Sequence, residues 1–328
     1  MRLFLRFFIS IIVFFILFEL TLFVSLKFNL NGLRTNPVII FNPYCDQKYW
    51  LTRNQDVKIS KEVSYHPILT YKTKNTIIPN NLDNPLPLDQ SSDLALYGTS
   101  FIGHHIFKDI VNDSKLININ YALPSYGLDQ MYLSYLLTES AHLNKPIIFG
   151  FLLEDIDRMI FSFRDYKKVI LELGDDELNL FNLPINVSEK PKKSFSLLSV
   201  SSVTNLFKFA GNGFDFSNSS CFKEKKVKLL DFILNDVIER SKNNNQKLII
   251  VTFRLETDFK KENWRYKEVK KLLNSKEITW LDSQTILSEG SDNKERYSEF
   301  YGKDRHLNEK GFIKVFSSIQ SSIREQYK

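Results

Sequence analysis

The sequence predicts an α/β fold with a mainly parallel sheet, preceded by one transmembrane helix. Three features carry that reading. From Leu94 onward, five strand-length apolar runs alternate with segments of helical period. The runs are apolar almost throughout, as befits strands covered on both faces. Ahead of them, Phe7 to Leu26 is a stretch of 20 residues with one charge, Glu19.

At about 1.5 Å per residue that stretch matches a bilayer core of about 30 Å. A cleaved signal peptide has a shorter apolar region, about 7 to 15 residues, and ends in small residues. This one continues through Phe and Leu, so an uncleaved anchor is expected over residues 1–30, with the membrane as its partner along 7–26. Arg2 and Arg6 precede the span and Lys27 and Arg34 follow it, which biases the amino terminus only slightly toward the cytoplasm. A charged Glu19 in lipid would cost on the order of 2.5 kcal/mol or more, so it is expected to be protonated or to face a membrane-embedded partner helix.

Residues 31–90 carry six of the ten prolines and little helical period, which suits a juxtamembrane stalk or a wrap over the main domain. The strand candidates follow: Leu94 to Tyr97, Leu116 to Asn120, Ile147 to Leu153, Leu248 to Phe253 and Thr279 to Leu281. Helices are expected over Gln130 to His142, Lys223 to Arg240 and Glu309 to about Glu325, where apolar residues recur every three or four positions. Strand and helix in alternation imply right-handed crossovers and sites beyond the carboxyl ends of the strands. The stretch 159–220 breaks the rhythm and reads as an insertion, either a lid or decoration.

The chain has 328 residues, 43% hydrophobic and 25% charged, which is ordinary globular composition. Its net charge of +6 is scattered among acids, with no basic and aromatic repeat, so no nucleic-acid partner is expected. Cys45 and Cys221 are the two cysteines. In an oxidising compartment they could pair, closing a loop worth roughly 4 to 5 kcal/mol in the chain-entropy view. With His66 and His142 they show no ligand spacing, so neither a metal nor another cofactor is expected.

Chemistry is suggested by two motifs at opposite ends of the main domain. In "LALYGTSFIGHH", Ser100 follows a strand, with Gly98 before it to permit a sharp turn that aims the hydroxyl away from the sheet. Alone, this reads more readily as a helix cap than as a nucleophile. In "YGKDRHLNEKGF", Asp304 stands two residues before His306 in a turn leading into the last helix, so a carboxylate can fix a histidine tautomer. Together the motifs supply a nucleophile, a base and an orienter. His104 and His105, in the helix expected after Ser100, are read as packing.

The blocks "LYGTSF", "NYALPSYGLDQ", "GFLLEDIDR" and "KDRHLNEKGF" resemble, in order and rough spacing, those of the SGNH or GDSL-like hydrolases and acyltransferases. The resemblance runs from about Asp93 to the C-terminus. The N-terminal span and "YHPILTYKTKN" resemble the membrane-anchored bacterial branch of that family. The resemblance implies a three-layer, flavodoxin-like sandwich over residues 91–328, ester chemistry on carbohydrate or lipid, no metal, and a body outside the cytoplasm. It makes Ser100 the nucleophile, His306 the base and Asp304 the orienter of His306. Oxyanion donors would be the N–H of Ser100 and the N–H of Ala122, where the family has Gly. Thr99 stands where the family often has Asp.

The family's side-chain donor, an Asn, falls on Glu154. A carboxylate cannot donate unless protonated, and losing one oxyanion donor costs roughly 10² to 10³ in rate. Three readings stay open: Glu154 is protonated by burial beside Asp155, Asn118 or Asn120 donates instead, or ester chemistry has lapsed. The expectation is a membrane-anchored, extracytoplasmic acyl esterase or O-acyltransferase acting on a cell-surface glycan or glycolipid through an acyl-Ser100 intermediate. The alternative is a catalytically lapsed, SGNH-fold protein that binds polysaccharide or serves assembly.

Overall fold

A computed structural model describes residues 2–28, 63–84, 86–89, 91–160, 163–164, 166–174, 178–181, 183–185, 222–259, 263–288 and 298–325. Cys45, Cys221 and their expected disulfide lie outside these residues, as does most of the insertion.

In chain order, helix α1 (Arg2–Phe28) is followed by a hairpin of β1 (Val63–His66) and β2 (Thr70–Thr73). Then come β3 (Leu94–Gly98), α2 (His105–Asp113), β4 (Asn118–Asn120), α3 (Leu128–Thr138), β5 (Pro146–Leu152) and the short α4 (Asp155–Arg158). Two small antiparallel pairs occupy the start of the insertion: β6 (Phe163–Arg164) with β7 (Tyr166–Lys167), and β8 (Ile170–Leu173) with β9 (Leu178–Phe181). The chain continues through α5 (Lys223–Asn243), β10 (Lys247–Phe253), α6 (Trp264–Asn274), β11 (Thr279–Asp282), α7 (Ser283–Ser288) and α8 (Glu309–Glu325).

The five expected strands form one sheet in the order β11, β10, β5, β3, β4, with every pairing parallel. Numbered by their own sequence these are 2-1-3-4-5, the flavodoxin-like order, whose switch point lies between its first and third strands. Here that is the seam between β3 and β5.

Side chains alternate strictly across the sheet, which explains why the runs are apolar throughout. Ala95, Tyr97, Ile147, Phe149, Phe151 and Ile250 pack on one face with α3 and α5. Leu94, Leu96, Ile148, Ile249, Val251 and Phe253 pack on the other with α2 and α8. The result is a three-layer sandwich, as expected, with both faces of each central strand removed from water.

The hairpin of β1 and β2 lies against this body. Gln130 Nε2 donates to Leu69 O at 2.9 Å and Tyr71 Oη to Pro124 O at 3.1 Å. Buried His66 accepts the N–H groups of Ile68 and Leu69 at Nδ1, so its proton sits on Nε2, bonded to Pro79 O at 2.9 Å. Burial holds this imidazole below its ordinary pKa.

Helix α1 is 27 residues long, and its described apolar side chains, from Phe4 to Leu20, are exposed. Side chains in it are described at positions 4, 6–18, 20 and 21. Among the described residues no helix is long and apolar enough to cross a membrane.

Candidate active site

Ser100 sits at the carboxyl end of β3, beside the switch point. The turn that presents it is anchored by two glycines and one branched side chain. Gly98 pairs with Gly150 across the seam. A Cβ at Gly98 would stand 2.5 Å from Ile102 Cβ, and one at Gly150 2.6 Å from Ile102 Cγ1, so Ile102 fills the space that both leave. Gly103 N–H then donates to Thr99 O at 2.8 Å and closes the turn. Thr99 is buried, and its hydroxyl has no hydrogen-bond partner among the described residues.

The helix after this turn starts later than the sequence suggests. His104 is extended, at φ −67° and ψ 140°, and α2 begins at His105. That conformation swings the His104 ring out of the helix and toward the turn before α8.

In that turn Arg305 adopts φ 68°, the left-handed region, which brings Asp304 and His306 side by side. His306 N–H donates to Asp304 Oδ1 at 3.2 Å and Gly302 N–H to His306 O at 2.8 Å. Asn308 caps α8 by accepting from Gly311 N–H at 3.1 Å, and Tyr301 Oη donates to Arg254 O at 2.8 Å, pinning the turn to the end of β10.

Asp304 Oδ2 lies 3.2 Å from His306 Nδ1 and 3.3 Å from His104 Nε2. Partial burial raises the Asp304 carboxyl, but the His306 N–H and the His104 ring outweigh it and leave it below the ordinary value, hence ionised. An ionised carboxylate only accepts, so both imidazoles donate to it. That leaves His306 Nε2 as the ring's basic nitrogen. Burial holds His104 below its ordinary pKa, despite Asp304, so it is neutral at pH 7.

The His306 ring stands 4.9 Å from that of Phe101, the residue after Ser100. The structure therefore brings Ser100, Asp304 and His306 to one rim of the sheet. No hydrogen bond joins Ser100 Oγ to His306. His104, expected to pack, both stacks on Phe312 at 5.3 Å and bonds Asp304. Its role was hidden because it depends on an extended residue before the helix and on a partner 200 positions away.

The oxyanion side departs from expectation. Ala122 N–H donates to Asn120 Oδ1 at 2.8 Å, and Asn120 Nδ2 donates to Ile102 O at 3.2 Å. Each of these donors is thus engaged, because Asn120 folds back to satisfy the buried turn after β4. Asn118 is likewise occupied, donating to Asn112 Oδ1 and Leu116 O, both at 3.3 Å. The N–H of Ser100 has no hydrogen-bond partner among the described residues. Glu154 follows β5, half-buried, with no side-chain bond to the short helix after it. Burial raises its carboxyl; Arg158 and Arg265 oppose this, and Asp258 and Asp157 add to it.

The neighbouring acids are structural. Asp155 accepts Leu152 N–H at 2.8 Å and pairs with Arg158. Asp157 is buried between Lys226 Nζ at 2.7 Å and Arg265 Nε at 2.6 Å. Asp129 is buried against Lys168 Nζ at 2.8 Å.

No protein-family model matches the chain, and no curated protein matches it. Solved structures similar to it include a GDSL-like lipase from Bacteroides thetaiotaomicron, at 9% identity and a TM-score of 0.40, covering 73% of this chain and 91% of that one. Another is an acetyl xylan esterase from the rumen bacterium Butyrivibrio proteoclasticus, at 10% identity and a TM-score of 0.36, covering 74% and 65%.

Proposed function

We propose that the protein is a serine acyl esterase or O-acyltransferase, anchored in a membrane by residues 7–26, with its body outside the cytoplasm and a cell-surface glycan or glycolipid as substrate. The observation that carries it is the Asp304 carboxylate bonded to His306 Nδ1 on the rim where the β3 turn presents Ser100. Asp304 keeps the proton on Nδ1, and His306 Nε2 takes the proton of Ser100 Oγ as that oxygen attacks the acyl carbon. The Ser100 N–H faces the developing oxyanion. His306 then returns the proton to the leaving oxygen, and water or a sugar hydroxyl resolves the acyl-Ser100 ester. Glu154, its pKa raised, serves as a second donor when protonated. No metal or cofactor enters these steps.

The anchor is supported by the 20-residue apolar run of the sequence and by the exposed Phe, Ile and Leu side chains on α1. Glu19 gives that helix a polar point for a membrane-embedded partner.

A fluorophosphonate probe on the full chain in detergent should label Ser100, and Ser100→Ala should lose both the label and aryl acetate hydrolysis. Absence of labelling together with unchanged cell glycan acylation in Ser100→Ala cells would overturn the enzyme reading. The mutual engagement of Asn120 and Ala122 favours the second reading, a lapsed site that binds polysaccharide or serves assembly. In that case Ser100→Ala would be silent, while Glu19→Leu or substitutions along the rim would abolish function.

A further inference from the structure

The pairing of two imidazoles on one carboxylate is more than orienting a base requires. One ligand atom each from His104, Asp304 and His306 lies within 4.8 Å of the others. The two contacts to Asp304 Oδ2, 3.3 Å from His104 Nε2 and 3.2 Å from His306 Nδ1, match the edge of a tetrahedron around zinc. That edge is about 3.3 Å for bonds of about 2.0 to 2.1 Å. The donor set, two imidazoles and a carboxylate with a fourth position open, is one that borderline transition ions accept and that hard cations do not.

Accessibility and the unbonded Nδ1 of His104 agree. The Asp304 side chain is 58% exposed while His104 and His306 are 12% and 25% exposed, so an ion reaches the ligands from the Asp304 side. His104 Nε2–H donates to Asp304, while His104 Nδ1 is buried with no partner among the described residues, so the ring proton can move to Nδ1 and leave Nε2 a lone pair for an ion.

We propose that His104, Asp304 and His306 bind a divalent transition ion of the zinc class, and that occupancy switches off the site. The binding half stands on geometry alone; the switching half rests on the esterase reading above. Coordination by His306 Nδ1 moves the ring proton to Nε2, the nitrogen that must accept the proton of Ser100. Coordination by Nε2 consumes the same lone pair directly. Either way the base is lost and Asp304 is diverted from its orienting role. No proton leaves the ring in the first case and no bond to Ser100 forms in either.

The test uses the full chain in detergent, with Cys45→Ser and Cys221→Ser as background so that thiols do not bind the probe. Zn²⁺ titrated by calorimetry in a non-chelating buffer should show one saturable site per chain, with no competition from Mg²⁺. His104→Ala should weaken it about 100-fold, as removal of a direct ligand does at least as much as loss of an outer-shell partner. His104→Gln, which keeps more of the packing on Phe312, should behave similarly, and Ser100→Ala should bind as the background does. Absence of a stoichiometric site, or wild-type affinity in both His104 variants, overturns the proposal. In aryl acetate hydrolysis, zinc should inhibit and a chelator should restore the rate. The zinc needed to halve each variant's own metal-free rate should rise by the same factor. Binding without inhibition overturns the switching half, whereas absence of any hydrolysis overturns the esterase reading and leaves the binding result intact.

Discussion

Two carboxylates sit near the carboxyl ends of the strands in opposite surroundings. Asp157 is buried, one oxygen on Lys226 and the other on Arg265. Asp304 is 58% exposed and holds two histidines through one oxygen, on a turn rather than within a helix. The first is saturated by two buried cationic side chains, so it fixes α4, α5 and α6 against each other. The second is bonded by two imidazoles, rings that can carry a proton on either nitrogen. An acid used as a strut and the acid proposed to orient a base thus differ in their partners more than in their own position.

Exchanging the two behaviours gives the sharpest tests. Asp304→Asn should lower kcat on an aryl ester by about 10³ to 10⁴-fold while leaving the melting temperature within about a degree or two, since it strands the wrong His306 tautomer without opening the core. A large loss of thermal stability would assign Asp304 a strut's role instead. Asp157→Asn should do the reverse, costing about 3 to 5 kcal/mol in denaturant unfolding because Lys226 and Arg265 are left buried without their counter-charge. If stability held and activity alone fell, Asp157 would belong to the chemistry.

The buried histidines extend the contrast to pH. His142 is buried, bonded by Tyr121 Oη at Nε2 over 2.8 Å, and burial lowers its pKa to about 4. His66 shifts in the same direction for the same reason. Unfolded, each titrates near 6.5, so between about pH 6.5 and 4 the unfolded chain binds more protons than the folded one. Stability therefore falls as pH drops through that window, by about 3 kcal/mol from His142 alone. Urea midpoints at pH 7 and 4.5 should show the loss, and His142→Gln should show a smaller one; an equal loss would locate the acid sensitivity elsewhere. The smallest effect is expected at Glu154. Glu154→Gln supplies a neutral donor at every pH, so kcat should rise several-fold at pH 8 and little at pH 5. A pH-independent fall would mean that the carboxylate, not the acid, is the working form.

Much of the fold was legible because it rests on period. All five apolar runs became the parallel strands, and the last helix runs from Glu309 to Glu325 as read. Helix α6 was not, since five of the eleven residues in its sequence WRYKEVKKLLN are charged and its start rests on Asn263 accepting Tyr266 N–H at 3.1 Å. At the candidate site, Ser100, Asp304 and His306 could be singled out because each stands in a short motif. The bond from Ala122 to Asn120 and the bond from His104 to Asp304 could not. Both depend on how an irregular turn folds back, and no spacing encodes that.

The seam between Gly98 and Gly150 has a mechanical consequence. Ile102 is the peg of a joint whose socket is bare backbone on both strands, and the loop bearing Ser100 is mounted on that peg. Shaving one methylene from the peg, as Ile102→Val does, would loosen the mounting without touching a polar atom. The loop's play, rather than its chemistry, would then set how often the hydroxyl and the imidazole meet.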